Sequence, residues 1–175
     1  MLINPLRRLF ENPSKLFVDV VREGMVVLEP GCGMGYFTLP LARMVGNTGR
    51  VIAIDIQPKM MAVLAKRSST AGLSDRIEIR LGEPDRLRIE DLRGTVDLAV
   101  ALHMVHETSN PGMFFKEIWN ALKNEGRLLV IEPKGHVSQL EFGKTMADAL
   151  SAGFVQNESL RDPNRRKALL RKGTG

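Results

Sequence analysis

Short apolar runs alternate with longer amphipathic stretches along this chain of 175 residues, and this alternation constrains the fold more than any other feature. The short runs are rich in β-branched residues, so we expect each of them to be a strand. In chain order they are MVVLEP, RVIAID, RIEIRL, TVDLAVAL, RLLVIEP, FVQNESL and RKALLRK. Strands that alternate with helices predict βαβ units and a mostly parallel sheet, which is an α/β fold.

The stretches between these runs are predicted helices, and proline or glycine marks many of their ends. Residues 1–24 are a predicted N-terminal helical segment, which Gly24 closes. In the helix YFTLPLARMVG, Pro40 must lie in the first turn or bend the helix. The helix KMMAVLAKRSSTAG places Met60 in the expected core. Two further helices are PGMFFKEIWNALKNEG, expected to run from its proline to its last glycine, and SQLEFGKTMADALSAG.

The last two predicted strands are separated by the turn-forming sequence RDPN. Strands this close in sequence can pair only in antiparallel fashion. An otherwise parallel sheet is therefore expected to finish with one antiparallel strand.

The positive charge of the chain is concentrated at its end. Residues 161–175 account for the whole formal net charge of +5, and residues 1–160 sum to zero. Such a segment can attract a polyanion. Alternatively, its lysines and arginines only keep a strand edge from pairing with other chains.

The composition predicts one domain over residues 1–175 in a reducing compartment, and we expect a cytoplasmic location. No apolar run reaches about 18 residues, so a membrane span is not expected. The N-terminus lacks the apolar region and cleavage site of a signal peptide. The single cysteine, Cys32, cannot form an internal disulfide framework.

A glycine-rich loop, LEPGCGMGYF at residues 28–37, joins the first strand to the next helix. Gly31, Gly33 and Gly35 lack a Cβ, so the backbone can turn tightly and approach a ligand closely. The helix that follows presents free N–H groups at its start. Nucleotide sites of several kinds share this arrangement, and Tyr36 could touch either a cofactor or a substrate.

Two acids narrow the choice of ligand. Asp55 ends the second strand, where an acid in a doubly wound fold accepts hydrogen bonds from both hydroxyls of a ribose. The dinucleotide spacing G-x-G-x-x-G is broken, because Tyr36 stands where the third glycine would be. Glu29 would repel a pyrophosphate but would favour a ligand that carries an ammonium and a sulfonium.

The motifs VVLEPGCGMGYFT, VIAIDIQ, VDLAVALHMVHE and LKNEGRLLVIEPKGH together resemble a class I S-adenosylmethionine-dependent methyltransferase. Their order is similar to the small-molecule methyltransferases of ubiquinone and menaquinone biosynthesis. The resemblance implies a doubly wound, Rossmann-like sheet of seven strands in the order 3-2-1-4-5-7-6, with strand 7 antiparallel and helices on both faces. It also implies S-adenosylmethionine as the cofactor and S-adenosylhomocysteine as the product.

The same resemblance implies roles for individual residues. The methionine moiety would lie against the loop, the ribose against the acid after the second strand, and the adenine against the residues that follow the second and third strands. The implied cofactor-binding residues are Glu29, Gly31, Gly33, Gly35, Asp55, Ile56, Glu83 and Leu102, and His103 would lie at the methyl-transfer mouth. Many relatives have aspartate followed by alanine where this chain has Glu83 and Pro84, so the adenine contact departs from the family pattern.

Three polar residues cluster in LHMVHE after the fourth strand: His103, His106 and Glu107. A histidine can act as a general base near neutral pH, so His103 and His106 are the candidate catalytic residues. The cluster could instead shape the cofactor pocket. Metal binding is not expected, because the spacing is not H-E-x-x-H and no other cysteine or histidine cluster supports it.

These observations predict an enzyme that transfers a methyl group to a small-molecule acceptor. A non-catalytic module that binds S-adenosylmethionine and a partner is the first alternative, and an RNA or protein methyltransferase is the second. Base-directed methyltransferases carry N/D-P-P-Y/F after the fourth strand, where this chain has ALHMVHE, so a nucleic-acid acceptor is not supported. A nicotinamide-dependent oxidoreductase is the third alternative, and the oligomeric state is left open.

Overall fold

The computed structural model describes residues 12–156 and 166–173, so the predicted turn RDPN and the first eleven residues lie outside it. The strands are β1 Val26–Pro30, β2 Arg50–Asp55, β3 Ile77–Leu81, β4 Val96–Leu102, β5 Leu122–Ile131, β6 Phe154–Gln156 and β7 Lys167–Lys172. The α-helices are α1 Pro13–Phe17, α2 Thr38–Met44, α3 Pro58–Thr70, α4 Pro111–Ala121 and α5 Gln139–Ser151. Short 3₁₀ helices cover Ser74–Arg76, Glu90–Leu92 and Val105–Glu107.

The strands form one seven-stranded sheet in the order β3-β2-β1-β4-β5-β7-β6. The first five strands pair in parallel, and β7 is antiparallel to both β5 and β6. The predicted strand order and the antiparallel seventh strand are therefore confirmed. Because the carboxyl ends of the five parallel strands meet at one edge of the sheet, the loops that follow them lie close together.

Helices cover both faces of the sheet, as predicted. Neighbouring residues of the central strands point to opposite faces, so Val27 and Leu28 belong to two different core clusters. Side chains of α4 and α5 pack on one face, and those of α1, α2 and α3 pack on the other. Both faces of β4 and β5 are buried, which explains why these strands read as continuous apolar runs.

The N-terminal helical segment is shorter than expected in its described part. Helix α1 ends at Phe17, and the backbone N–H groups of Val20 and Val21 both donate to the Phe17 carbonyl in a turn. Phe17, Val20 and Val21 are all buried, and Gly24 has a φ of 84°. A turn buries these three side chains together, and the sequence VDVV has a low helix propensity that does not oppose it.

Helix α4 also ends earlier than predicted, at Ala121 instead of at Gly126. Leu122 is already extended and pairs with Val96, and the register between β4 and β5 then shifts before Arg127 pairs with Leu98. Glu125 has a φ of 64° in this irregular stretch. The residues KNEG therefore form a bulge within β5, because pairing with β4 outweighs their helix propensity.

The interpretation of the basic tail as a strand edge is wrong for the end of β7. Residues 170–172 of β7 pair with β6 on one side, and residues 167–171 pair with β5 on the other. Arg171 Nη1 lies 2.9 Å from Glu125 Oε1, and Lys172 Nζ donates to the Leu122 carbonyl at 2.7 Å and lies 4.2 Å from the centre of the Trp119 ring. Across the described ranges, no helix combines the length and the apolar character that crossing a bilayer requires.

Candidate functional site

A cavity of about 580 Å³ opens where the loops after the five parallel strands meet. Most of the predicted site residues line it, and these are Gly31, Gly33, Asp55, Ile56, Glu83, Leu102, His103 and His106. Glu29 and Gly35 lie behind this lining. Tyr36 also lines the cavity, and so does Met60, whose expected place in the core is wrong.

The glycine loop is fixed to the end of β2 by backbone hydrogen bonds. The N–H groups of Gly31 and Cys32 donate to the Ile54 carbonyl at 2.8 and 3.0 Å. Gly31, Gly33 and Gly35 have φ values of 73°, 54° and 82°, which other residues rarely adopt. A Cβ on Gly33 would have no protein atom within 4 Å, so this face of the loop is open to the cavity.

The third glycine has a packing role. A Cβ on Gly35 would collide with the side chain of Leu64, which is buried on α3. Gly35 therefore allows α3 to lie against the loop, and it does not itself face the cavity. That Gly35 binds the cofactor stays a prediction.

Asp55 links the loop to the residues that follow β2. Its Oδ2 accepts a hydrogen bond from the Gly33 N–H at 2.9 Å, and its Oδ1 accepts one from the Gln57 N–H at 2.8 Å. Each carboxylate oxygen has a second lone pair, so both can still accept a ligand hydroxyl. The geometry fits the predicted role of Asp55 toward a ribose.

Glu29 is buried beneath the loop, with 2% of its surface exposed, and its Oε2 has no hydrogen-bond partner. Burial raises the pKa of Glu29 to about 8, and the negative charge of Asp55 adds to the effect. The Thr38 hydroxyl acts in the opposite direction, although it makes no hydrogen bond of normal geometry. A cation that reached this carboxyl group would replace the missing partner.

The wall that would face an adenine combines an apolar platform with an ion pair. Ile56 is 51% exposed although its neighbour Asp55 is buried, so it offers a flat apolar surface to the cavity. The Glu83 carboxylate pairs with the Arg88 guanidinium, and Pro84 has no backbone N–H to donate. The Glu83 carboxylate would therefore have to share or leave its ion pair with Arg88 to make the predicted contact with the adenine amino group.

The opposite half of the cavity is aromatic and contains histidines. His103 has a φ of 57° at the end of β4, and its N–H donates to the Ile131 carbonyl at 2.7 Å. Its ring stacks on Phe37, with 6.2 Å between the ring centres. The neighbouring His106 lies in the 3₁₀ helix and stacks on His136 at 6.4 Å. This half contains the two candidate catalytic histidines.

Glu132 is a site residue that the sequence analysis missed. It follows β5, it is buried, and its Oε2 contacts His106 Nδ1. The signal was present in the sequence, because an acid stands directly after the fifth strand in VIEP. Sequence spacing does not connect this acid with the histidines, because the carboxyl end of β5 meets the histidine cluster only in the folded sheet.

The cavity fits a cationic amino-acid nucleoside better than a diphosphate. Asp55 lines the loop half of the cavity, and the carboxyl group of Glu29 lies behind it. The volume of the whole cavity lies within the usual range for a small-molecule site. No group of three or more metal-ligating side chains is found in the part of the chain that the structure describes.

Comparison with known proteins identifies the class. The family model described as a methyltransferase domain matches residues 28–130, which is more than half of the chain, so the chain belongs to this family. The family and the fold are those of a class I S-adenosylmethionine-dependent methyltransferase, and S-adenosylmethionine is the cofactor of this class.

Two curated relatives are similar to part of the chain. The chain is 31% identical over 112 residues to the ubiquinone/menaquinone biosynthesis C-methyltransferase UbiE of Hydrogenovibrio crunogenus, a match that covers 64% of this chain and 43% of the relative. It is 28% identical over 112 residues to the demethylmenaquinone methyltransferase of Lactobacillus johnsonii, with 64% and 45% covered. The chain thus spans less than half the length of these two relatives.

Solved structures show the same fold at nearly full length. A SAM-dependent methyltransferase from Aquifex aeolicus has a TM-score of 0.80 and 26% identity, and the match covers 96% of this chain and 92% of that one. The [4+2]-cyclase SpnF has a TM-score of 0.76 and 19% identity, with 93% and 81% covered. The second likeness shows the fold alone, and its name shows that the fold is not restricted to methyl transfer.

Proposed function

We propose that this protein transfers the methyl group of S-adenosylmethionine to a small-molecule acceptor. The observation that carries the proposal is the glycine loop, whose backbone at Gly33 is open to a cavity that Asp55 lines and the buried Glu29 backs. Similarity to the two quinone-biosynthesis methyltransferases supports a small acceptor.

The residues of the loop half would hold the cofactor. Glu29 would meet the amino-acid cation, directly or through water, and the open backbone at Gly31 and Gly33 would lie along the methionine chain. Asp55 would accept the ribose hydroxyls, and Ile56 would pack on the adenine. Leu102 is buried at the cavity wall and would border the methyl group.

When it is bound, S-adenosylmethionine supplies a methyl group on a sulfonium, which is a strong electrophile. The task of the protein is then to align the acceptor with the methyl carbon and to keep water out. The aromatic half of the cavity suits this task, because Phe37, Phe114 and the stacked histidines form a largely apolar wall. His103 and His106 are the candidate catalytic residues in this wall.

Binding is tested first. S-adenosylhomocysteine and NAD are compared by thermal shift and calorimetry, and only S-adenosylhomocysteine is expected to raise the melting temperature. A stronger response to NAD would contradict the proposal. Transfer is then tested with the radiolabelled donor on small metabolites, tRNA and protein.

Label in the small-metabolite fraction is the expected result. Label in tRNA or protein would show that the acceptor is a macromolecule and would contradict the proposed small-molecule acceptor. Binding without transfer to any fraction would favour a non-catalytic module. The cytoplasmic location and the single domain over residues 1–175 stay predictions.

A further inference from the structure

The third buried carboxylate of the described chain has no part in the cofactor half of the cavity. Glu29 and Asp55 belong to that half, whereas Glu132 lies across the cavity at the end of β5, with 1% of its surface exposed. A carboxylate is costly to bury unless its oxygens are satisfied. The contacts of Glu132 therefore need an explanation of their own.

Each oxygen of Glu132 has a defined contact. Oε1 accepts a hydrogen bond from the Val105 N–H at 2.8 Å, and Oε2 contacts His106 Nδ1. Because Val105 and His106 are consecutive residues of one 3₁₀ helix, the carboxylate holds the backbone and the imidazole of that helix together. Neither oxygen can turn away without losing its partner.

The geometry also determines which nitrogen of His106 is presented. A carboxylate at Nδ1 favours the tautomer with the proton on Nδ1, which leaves the Nε2 lone pair able to accept a proton. Nε2 lies on the far side of the ring from Glu132, and the partly exposed His106 lines the cavity. An imidazole oriented by a buried acid, with its second nitrogen at a cleft, is the arrangement of a general base.

We propose that Glu132 is a positioning residue that holds His106 as the general base, and that the methyl acceptor carries a phenolic hydroxyl. The inference depends on the proposed function. In the step, the bond between sulfur and the methyl carbon breaks and its electron pair stays on sulfur, giving S-adenosylhomocysteine. The acceptor oxygen bonds the methyl carbon, and its proton passes to His106 Nε2, from which solvent later removes it.

The acceptor class follows from the chemistry of the wall. A thioether or a tertiary amine has no proton to lose and would gain nothing from a base. A hydroxyl oxygen must lose its proton and becomes a better nucleophile as it does so. Tyr36, Phe37 and Phe114 line the same cavity and can pack against an aromatic ring.

Four charged or titratable side chains act on His106. Glu132 contacts Nδ1, Glu107 Oε1 lies 3.8 Å from Nε2, His136 stacks on the ring, and Glu141 on α5 interacts with His106 electrostatically. Glu125 on β5 is exposed and does not line the cavity, so Glu125→Gln removes a carboxylate from the same strand without touching His106. It serves as the matched control.

The test compares the unmodified protein with His106→Gln, Glu132→Gln and Glu125→Gln. Phenol, catechol and 4-nitrophenol are the acceptor probes, and N,N-dimethylaniline is the aromatic comparison without a proton to lose. We expect His106→Gln to lower kcat on a phenolic probe by about 10²–10⁴-fold. We expect Glu132→Gln to lower it at least about tenfold, with KM within about threefold. Glu125→Gln should stay within about threefold of the unmodified protein.

Two further readouts separate positioning from a merely structural role. Nitrogen-15 NMR of the S-adenosylhomocysteine complex should show the proton of His106 on Nδ1, and Glu132→Gln should abolish this single tautomer. Free imidazole should restore part of the rate of His106→Gly. Calorimetry should give the same affinity for S-adenosylhomocysteine in all variants, which shows that the fold and the cofactor half are intact.

Several results would overturn the inference. These are a His106 proton on Nε2 in the unmodified protein, unchanged kcat in both the His106 and the Glu132 variants, or no methyl transfer to any phenolic probe by protein that binds S-adenosylhomocysteine. Preference for N,N-dimethylaniline would also overturn it. Failure to bind S-adenosylhomocysteine at all would instead refute the proposed function itself.

Discussion

The two halves of the cavity are formed by different kinds of chemical groups. The cofactor half uses backbone groups of a glycine loop and two buried acids, and these groups lie close together in sequence, on β1, β2 and the loop between them. The acceptor half uses side chains from loops after β4 and β5, with His106 and Glu132 brought together across 26 positions of sequence. The first half is specified locally and the second half only by the folded sheet.

The largest expected difference between the halves is a pH dependence that resides in the cofactor half. The pKa of Glu29 is raised from 4.5 to about 8 by burial, so the folded state holds a proton there that the unfolded state has released. The contribution to stability is complete below about pH 4.5 and is lost as the pH rises to about 8. Across that window we expect a loss on the order of 4 kcal/mol in the unliganded protein.

Urea unfolding at several pH values measures this loss. Glu29→Gln should remove most of the slope, whereas Glu107→Gln, on the rim of the acceptor half, should retain it. Binding of the cationic donor should also release a proton near neutral pH, which calorimetry in buffers of different ionisation enthalpy detects. Parallel stability profiles for the Glu29 variant and the unmodified protein would show that the carboxyl group titrates normally.

The next effect concerns the acid that joins the loop to β2. Asp55→Ala should weaken binding of S-adenosylhomocysteine by about 1–3 kcal/mol, because the ribose hydroxyls and the Gly33 N–H lose their acceptor. Asp75→Ala, at an exposed position beyond α3, is the control and should bind normally. An unchanged affinity in the Asp55 variant would remove this residue from the site.

A smaller effect separates backbone strain from ligand contact. Gly33 and Gly72 both have positive φ, and a Cβ at either would meet no protein atom within 4 Å. Alanine at either position should therefore cost a similar stability, about 1–2 kcal/mol. Only Gly33→Ala should also weaken S-adenosylhomocysteine binding, by about tenfold, because its Cβ enters the cavity.

Chemical denaturation measures the loss of stability in the two alanine variants, and calorimetry measures their affinity for S-adenosylhomocysteine. Equal binding by the two variants would mean that the ligand does not approach the loop at Gly33. A much larger loss of stability in Gly33→Ala than in Gly72→Ala would mean that the alanine side chain distorts the loop. The weaker binding could then not be assigned to a direct clash with the ligand.

The smallest expected effect is at the adenine wall. Glu83 is 40% exposed and pairs with Arg88, so Glu83→Ala should change the affinity for S-adenosylhomocysteine by less than about threefold. Calorimetry measures this affinity for Glu83→Ala and for Asp55→Ala under the same conditions. A tenfold loss would show that Glu83 leaves Arg88 and binds the adenine, as the family resemblance implies.

Local signals predicted the strands and the candidate residues of the cofactor half, whereas the strand order was implied by the family resemblance. The β-branched runs located every strand, and the glycine loop and Asp55 were identified because turn chemistry and ribose recognition depend on neighbours in sequence. The end of α4 was misplaced because pairing of Leu122 with Val96 is a long-range contact. Glu132 and the Glu83–Arg88 pair were missed for the same reason, since their partners are chosen by packing and by loop geometry.

The hydrogen bonds that Asp55 makes to the Gly33 and Gln57 N–H groups join the glycine loop to the end of β2 within the chain itself. The curvature of the loop is thus established when the chain folds, and the conformational entropy of that segment is lost then and not at the moment of association. A nucleoside arriving from solution encounters a receptor that is already preorganised. Encounter should consequently be limited by diffusion and desolvation, with no slow rearrangement of the loop in the binding kinetics.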